Sequence, residues 1–249
     1  MDKIVIAGVM GQNCLKFLPM CLESLKTADI IIYIDGGSED GSIEYAKEKG
    51  CEIIENEYDQ KDKTMNGKQR NVFLNYLKIK YLNDWCIFLD ADEVLEDYGI
   101  QKLKNTITQL NNKEAVLSPR IHHFIGDLGH EDWTKDIHFV PNRFFKIINE
   151  LEYTEVEHSV LQLKAKILNE KEEIPQTVIG TVDVHIWHLR ECQGIFETNR
   201  KFNWNTQKSN IHSETQLRQW NRDMLFGNYP RKRVHYDQIP TPIKQRFDI

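Results

Sequence analysis

The sequence predicts an α/β protein with a mostly parallel central sheet flanked by helices and a helical C-terminal extension. Three observations carry that prediction. Short apolar runs, suited to buried strands, alternate with segments of helical period through the first third of the chain. Glycine, serine and aspartate punctuate the ends of those runs. The run Trp85-Cys86-Ile87-Phe88-Leu89 leads straight into Asp90-Ala91-Asp92-Glu93. A strand that apolar is covered on both faces, and its carboxyl end is where ligands bind in open α/β sheets.

The elements follow in order. Residues 3–9 form a first strand. Residues 13–26 carry Leu15, Leu18, Leu22 and Leu25 at helical spacing, with Asn13 as the cap. Residues 29–35 contain Ile30-Ile31-Ile32-Tyr33-Ile34, a buried strand. Residues 42–49 make a short helix, and Gly50 suits its left-handed exit. Residues 51–55 form a third strand. A helix over 68–81 places Val72, Leu74, Leu77 and Ile79 on its apolar positions, and 85–89 is the fourth strand. Strands alternating with helices imply right-handed crossovers. In the second half, 100–110 reads as helix. Residues 114–124, 139–148, 155–163 and 178–189 read as strands, and the chain from Glu197 onward as helix. The polar stretch 126–136 reads as a loop. With no internal repeat and no linker, the chain is expected to be one domain over 1–249. Its parts are a ligand-binding half (1–96), a second half (97–195) and the extension (196–249).

Composition bounds the function. The chain has 249 residues, 40% hydrophobic and 28% charged, which excludes wholesale disorder. A net charge of -6 argues against a nucleic-acid partner. No apolar run approaches a membrane span, so no transmembrane segment is expected. The first residues lack the basic start and long apolar core of a signal peptide. The five cysteines, Cys14, Cys21, Cys51, Cys86 and Cys192, have no metal-ligand spacing and read as reduced thiols. A cytoplasmic location is the resulting expectation. Trp204, Trp220, Phe226 and Tyr229, followed by Pro230-Arg231-Lys232-Arg233, leave peripheral membrane contact open beside the plainer reading of a packed helix with a solvated charge cluster.

Three segments carry chemistry. Asp35-Gly36-Gly37-Ser38-Glu39-Asp40-Gly41-Ser42 sets an acid at a strand end, followed by glycines that let a ligand approach the backbone. Asp35 could accept hydrogen bonds from a base N–H or a ribose hydroxyl. The competing reading is a plain turn in which Ser38 and Asp40 cap the next helix. Met65-Asn66-Gly67-Lys68-Gln69-Arg70-Asn71-Val72 is a basic, glycine-containing helix entry that suits an anion, or else an ordinary basic surface turn. Asp90-Ala91-Asp92 offers hard oxygens one residue apart, suited to Mg²⁺ or Mn²⁺ held against a diphosphate, or else a solvated acidic turn.

In this order and spacing, over roughly residues 3 to 96, the segments resemble the nucleotide-binding half of family-2 glycosyltransferases of the GT-A fold. The resemblance rests on the first strand and the apolar helix after it, Asp35 to Gly41, the Arg70-Asn71 pair and Asp90-Ala91-Asp92. It implies a nucleotide-sugar site in which Asp35 contacts the base beside the backbone of Gly8 and Val9. Arg70 then lies near the base or diphosphate. Asp90 and Ala91 border the ribose or sugar, and Asp92 binds the divalent metal, Mn²⁺ or Mg²⁺. The second half is more loosely similar. Asn142-Arg143-Phe144-Phe145-Lys146 resembles the family's Arg-Leu-Phe strand. Glu155-Val156-Glu157-His158-Ser159 resembles its Val-His-Glu segment, with Ser159 in place of the usual Glu. In Asp183-Val184-His185-Ile186-Trp187-His188-Leu189, His188 matches the histidine that completes the metal site, with His185 as the alternative. Three apart on a strand, the two face opposite sides.

Family members generally invert the anomeric carbon, which requires a carboxylate base for the acceptor hydroxyl. Asp132, beside Trp133, and Glu157 are the candidates. The resemblance therefore implies an inverting, metal-dependent hexosyltransferase. Its donor would be a nucleotide diphosphate sugar, foremost a UDP-sugar, and its acceptor a hydroxyl on a glycan, glycolipid or protein. A nucleotidyltransferase and a non-catalytic nucleotide-sugar binding module are the alternatives. The first usually has a basic loop after its first strand, whereas here that loop, Gly8-Val9-Met10-Gly11-Gln12-Asn13, carries no lysine or arginine.

Overall fold

A computed structural model describes residues 4–59, 61–62, 64–110, 115–125, 127–132, 142–155, 161–163, 178–191 and 231–247. Among them, β1 (Val5–Gly11), α1 (Leu18–Ser24), β2 (Ile30–Asp35), α2 (Ser42–Glu48) and β3 (Glu52–Glu55) alternate as expected. They are followed by α3 (Met65–Lys80), β4 (Trp85–Asp90), β5 (Glu93–Leu95) and α4 (Gly99–Gln109). Strands β6 (Ala115–Ile125), β7 (Asp127–Asp132), β8 (Phe144–Lys146), β9 (Leu151–Tyr153), β10 (Leu161–Leu163) and β11 (Val178–Glu191) come next. Strand β12 (Arg231–Arg233), a 3-10 turn at Tyr236–Gln238 and α5 (Thr241–Phe247) close the described chain.

The main sheet runs β12-β7-β6-β8-β4-β1-β2-β3. The predicted parallel arrangement holds from β4 through β1 and β2 to β3. Beyond β4 the sheet turns mixed: β8 is antiparallel to β4, and β6 is antiparallel to both β8 and β7. Strand β11 lies parallel to β6 and antiparallel to β5. Strands β9 and β10 form a separate antiparallel pair.

Alternation along the strands builds a core on each face. Val5, Ala7 and Val9 of β1 and Trp85, Ile87 and Leu89 of β4 pack with Leu18, Cys21 and Leu22 of α1 and Leu103 of α4. Ile6, Cys86 and Phe88 pack on the other face with Phe73, Leu74 and Leu77 of α3. A Cβ at Gly8 would lie 2.6 Å from a ring carbon of Phe73, so this glycine lets α3 settle on the sheet.

Several boundaries differ from expectation, each for a local reason. Helix α1 starts at Leu18, not Asn13, because Pro19 sits in its first turn and Asn13 takes a left-handed φ of 50°. Residues 14–17 form a turn instead, with the N–H of Phe17 bound to the Cys14 carbonyl. Helix α3 starts earlier, at Met65, so Gly67 and Lys68 lie inside it. Gly67 is a packing glycine: a Cβ there would strike the Thr154 carbonyl and come within 2.7 Å of Glu155 Cα. The glycine exit of α2 is as predicted, with Gly50 at φ 79°.

The polar stretch 126–136 is not a loop throughout, since its first part is β7. There Glu131 pairs with Phe124 of β6 and with Lys232 of β12. Backbone pairing on both sides overrides the polar composition. The described part of the predicted helical extension accordingly includes a basic strand, Arg231–Arg233, before α5. Of the predicted strand 139–148 only Phe144–Lys146 is strand among the described residues, and 155–163 is represented by β10. Trp133, Glu157, His158, Ser159, Cys192 and residues 192–230 lie outside the described residues. The other four cysteines are free thiols, three of them buried. Among the described residues no helix is long and apolar enough to cross a membrane.

Candidate active site

Strands β2 and β4 flank β1 on opposite sides, so the chain reverses its direction of sheet growth at β1. That reversal opens a crevice at the strands' carboxyl ends. Met10 pairs with Asp90 there, and Gly11 with Asp35. A Cβ on Gly11 would come within 2.6 Å of Cys14 Sγ and 2.9 Å of Ala91 Cβ, so the crevice floor closes only because residue 11 is glycine.

Asp35 stands at this edge, but its carboxylate is directed to its own loop. Oδ2 accepts the N–H groups of Gly37 and Ser38 at 2.7 Å each, and Oδ1 accepts the Ser38 hydroxyl and the Tyr33 phenol. The loop is stitched to the turn after β1. Asn13 N–H donates to Ser38 Oγ, Glu39 N–H to Asn13 Oδ1, Leu15 N–H to Asp40 Oδ2, and Gln12 Nε2 to the Gly36 carbonyl. Asp40 accepts both the N–H and the hydroxyl of Ser42 at the start of α2, from one residue before the N-cap position that Gly41 occupies. Cys14 lies at the base of this network, 3.1 Å from the Tyr33 hydroxyl, and burial pushes its thiol up to about 11, which disfavours the thiolate.

Gly8 and Val9 do not reach the rim. They lie inside the β1 ladder, Gly8 between Ile32 and Phe88 and Val9 between Tyr33 and Leu89, because β1 extends through Gly11. The backbone at the rim is Gly11 and Gln12. Ala91 is buried, and its N–H donates to the Met10 carbonyl.

Asp90 is gripped by two arginines. Nη2 of Arg70, from the second turn of α3, is 3.1 Å from Oδ1, and Nη2 of Arg143, just before β8, is 3.0 Å from Oδ2. The same Arg143 nitrogen lies 2.8 Å from Glu93 Oε1, and Glu93 Oε2 accepts the N–H of Asp90. Both guanidinium groups lie over the Phe88 ring, with Cζ at 5.4 and 5.9 Å from its centroid. Burial disfavours the charge on Asp90, but Arg143 and Arg70 outweigh it and hold the carboxyl at about 2. For Glu93 burial wins over Arg143 and pushes its pKa up. Glu93 therefore does not face a ligand as the sequence suggested. It is buried under Asp90 as the internal partner of Arg143.

Asp92, in the turn between β4 and β5, faces β11. Its Oδ1 lies 3.5 Å from His188 Nε2, and its carbonyl accepts the N–H of Leu189. Of the two histidines weighed, His188 is the one that meets Asp92. His185 instead meets His122, with His185 Nδ1 2.7 Å from His122 Nε2, and the His122 ring stacks on Trp187 at 4.2 Å. Nδ1 of His188 is 2.8 Å from Nδ1 of His123, its register partner on β6. Glu93, His188 and His123 are thus in line across β5, β11 and β6, and Glu131 opposite Phe124 brings the backbone of Asp132 beside that row.

The donor set suits a divalent ion. A carboxylate and an imidazole nitrogen 3.5 Å apart fall short of a good hydrogen bond, but lie within the span of two atoms sharing an ion at about 2.1 Å each. Among the described residues no group of three His, Cys, Asp or Glu side chains could hold a metal.

Sequence reasoning assigned no role to Arg143 and passed over His123. Arg143 follows Asn142 in the quoted strand motif, and a lone arginine entering an apolar strand is the signal of a buried ion partner. The His122-His123 pair inside the strand run 114–124 could have raised His123.

The parallel half-sheet, the switch at β1 and the carboxylates at the β4 end make this an α/β fold of the GT-A type. The glycosyl transferase family 2 model matches residues 11–165, more than half the chain, and the chain belongs to that family. Among solved structures it is similar to S. aureus TarS, with 16% identity and a TM-score of 0.46 over 61% of this chain and 30% of that one. It is also similar to glucosyl-3-phosphoglycerate synthase from Mycobacterium tuberculosis in complex with Mn²⁺, UDP and glucosyl-3-phosphoglycerate. There the identity is 10% and the TM-score 0.44, over 93% of this chain and 87% of that one. The chain spans less than a third of the length of that TarS structure.

Proposed function

We propose that the chain is a glycosyltransferase that moves a sugar from a nucleotide diphosphate sugar, foremost a UDP-sugar, to a hydroxyl acceptor on a glycan, glycolipid or protein. The observation that carries this reading is the pairing of Asp92 with His188 beside Asp90 at the β1–β4 switch point. Family membership supports the reaction class. Asp92 and His188 are the residues that would hold Mn²⁺ or Mg²⁺. When bound, the metal stabilises charge on the departing nucleoside diphosphate.

This chain's own groups do the rest. Arg70, bonded to Asp90 and 14% exposed, is the cation that would meet the diphosphate. Asp90, kept ionised by its arginines, can accept a hydrogen bond from a ribose or sugar hydroxyl through its exposed portion. Asp35 shapes the loop whose Gly36 and Gly37 backbone would border the base. Inversion calls for a single displacement in which a carboxylate takes the acceptor proton as the hydroxyl attacks. Asp132 is favoured for that role, because its backbone ends β7 beside the His123–His188 row, and Glu157 is the second candidate.

Thermal stabilisation by UDP, GDP and their sugar derivatives, with and without Mn²⁺, tests the donor site. A manganese-dependent rise with one nucleotide, lost in Asp92→Ala, is expected. No rise with any nucleotide in a folded protein would sink the reading. Release of the diphosphate on turnover separates an enzyme from a binding module.

A further inference from the structure

The imidazole of His188 can ligate a metal through Nε2 only while that atom keeps its lone pair, so the ring's single proton must sit on Nδ1. In free solution an imidazole has no such obligation. Here Nδ1 of His188 lies 2.8 Å from Nδ1 of His123, with the rings nearly perpendicular at 83°, an edge-on arrangement that suits a hydrogen bond between ring nitrogens. Both rings are largely buried, His123 at 9% exposure, and the pairing is fixed by the register of β11 on β6. On the other side, Nε2 of His188 is 3.5 Å from Asp92 Oδ1, too long for a good N–H···O bond. The short Nδ1–Nδ1 contact takes one proton from either ring, and the long Nε2–Asp92 distance leaves an Nε2–H without a good acceptor there.

We propose that His123 is a positioning residue that locks His188 in its Nδ1–H tautomer and so leaves Nε2 open toward Asp92 for a divalent cation. His188 Nδ1–H donates to His123 Nδ1, and His123 carries its own proton on Nε2. No charge is created in the buried row. In the opposite arrangement His123 donates, His188 is protonated on Nε2, and that N–H points at Asp92, blocking the imidazole ligand. Groups of this kind, which orient a ligating histidine from behind, typically change metal affinity by about 10–100-fold when removed. The inference rests on the proposed reading of Asp92 and His188 as metal ligands.

The test uses the full chain with ¹⁵N-labelled histidine at about pH 8, where an ordinary imidazole is neutral. His188 is assigned by its loss in His188→Gln. Without metal, nitrogen shifts in the wild type are expected to report Nδ1–H on His188. His123→Asn retains an acceptor oxygen near the position of Nδ1 and should keep that tautomer. His123→Leu fills similar space without an acceptor and should move His188 toward Nε2–H. In the presence of UDP, Mn²⁺ binding followed by the electron paramagnetic resonance of the free ion should weaken about 10–100-fold in the leucine variant and stay within about threefold in the asparagine variant. An Nε2–H tautomer in the wild type overturns the proposal, as does a leucine variant equal to the wild type in tautomer and affinity. Failure of the metal reading itself is separately visible, because the tautomer signal needs no metal. Mn²⁺ uptake that is absent, or indifferent to Asp92→Ala, would remove the metal site and with it the purpose of the lock.

Discussion

Replacing Arg143 with methionine should damage the fold more than any surface change. Methionine fills comparable space without charge, so the effect isolates the ion cluster. Arg143 is 6% exposed and Glu93 3%, and the pair is 2.8 Å apart. Removing the guanidinium leaves Glu93, among the described residues, hydrogen-bonded by the Asp90 N–H alone, while Asp90 keeps Arg70. Breaking a buried pair by deleting one partner destabilises by about 3–5 kcal/mol. At about 2–4 °C per kcal/mol for a chain of this size, the melting temperature should fall by roughly 6–20 °C. Urea midpoints at neutral pH measure it directly. The second substitution is decisive: Glu93→Gln on the methionine background removes the stranded acid and should recover at least half of the loss. A loss below about 1 kcal/mol, or a double variant no better than the single one, would refute the view that Glu93 is the internal partner of Arg143.

Gly67→Ala should destabilise by about 1–3 kcal/mol although alanine is the better helix former, because the new methyl meets the Thr154 carbonyl; a gain in urea midpoint would contradict the packing role. Asn71→Ala should lose about 1–3 kcal/mol, since the Asn71 amide both accepts from Tyr153 N–H and donates to its carbonyl; hydrogen exchange at Tyr153 should quicken with it. Asp29 accepts Val5 N–H and the Lys104 ammonium, which together outweigh burial and lower its pKa. Its folded value lies below the unfolded value of about 3.9, so the unfolded state binds more protons and stability rises with pH through that range. The deficit of Asp29→Asn should therefore be full at pH 7 and shrink as pH falls below about 4, and a deficit unchanged at pH 3 would argue against it.

The N-terminal half was legible because each strand there is an apolar run closed by a turn. Ile30 to Tyr33 and Trp85 to Leu89 mark two central strands, and Asp90-Ala91-Asp92 marks the carboxyl end of the second. What local pattern could not supply was partnership. Glu93 reads as one more acid in a row until Arg143 arrives from fifty residues away to bury it. Strand β7 carries one apolar side chain, Leu128, and is set by its pairing with β6 and β12. Strand β1 runs two residues past Val9, through Met10 and Gly11, an end that local pattern does not mark. The choice between His185 and His188 needed the register of β11 against β5, which pairs His188 with Glu93.

The interleaving of the two halves has a consequence for how the chain comes into being. Strand β4, which holds the carboxylates, gains its second neighbour only when Lys146 reaches Trp85, and the turn carrying Asp92 is covered only when His188 reaches Glu93. A nascent chain emerging from the ribosome would thus present Asp90-Ala91-Asp92 on an open sheet edge until Lys146 and then His188 have followed. The N-terminal half completes the pairing of β4 and β5 only with strands from the second half. A fragment ending near residue 96 should aggregate or stay unfolded, whereas one that includes β11 has every strand flanking the carboxylates.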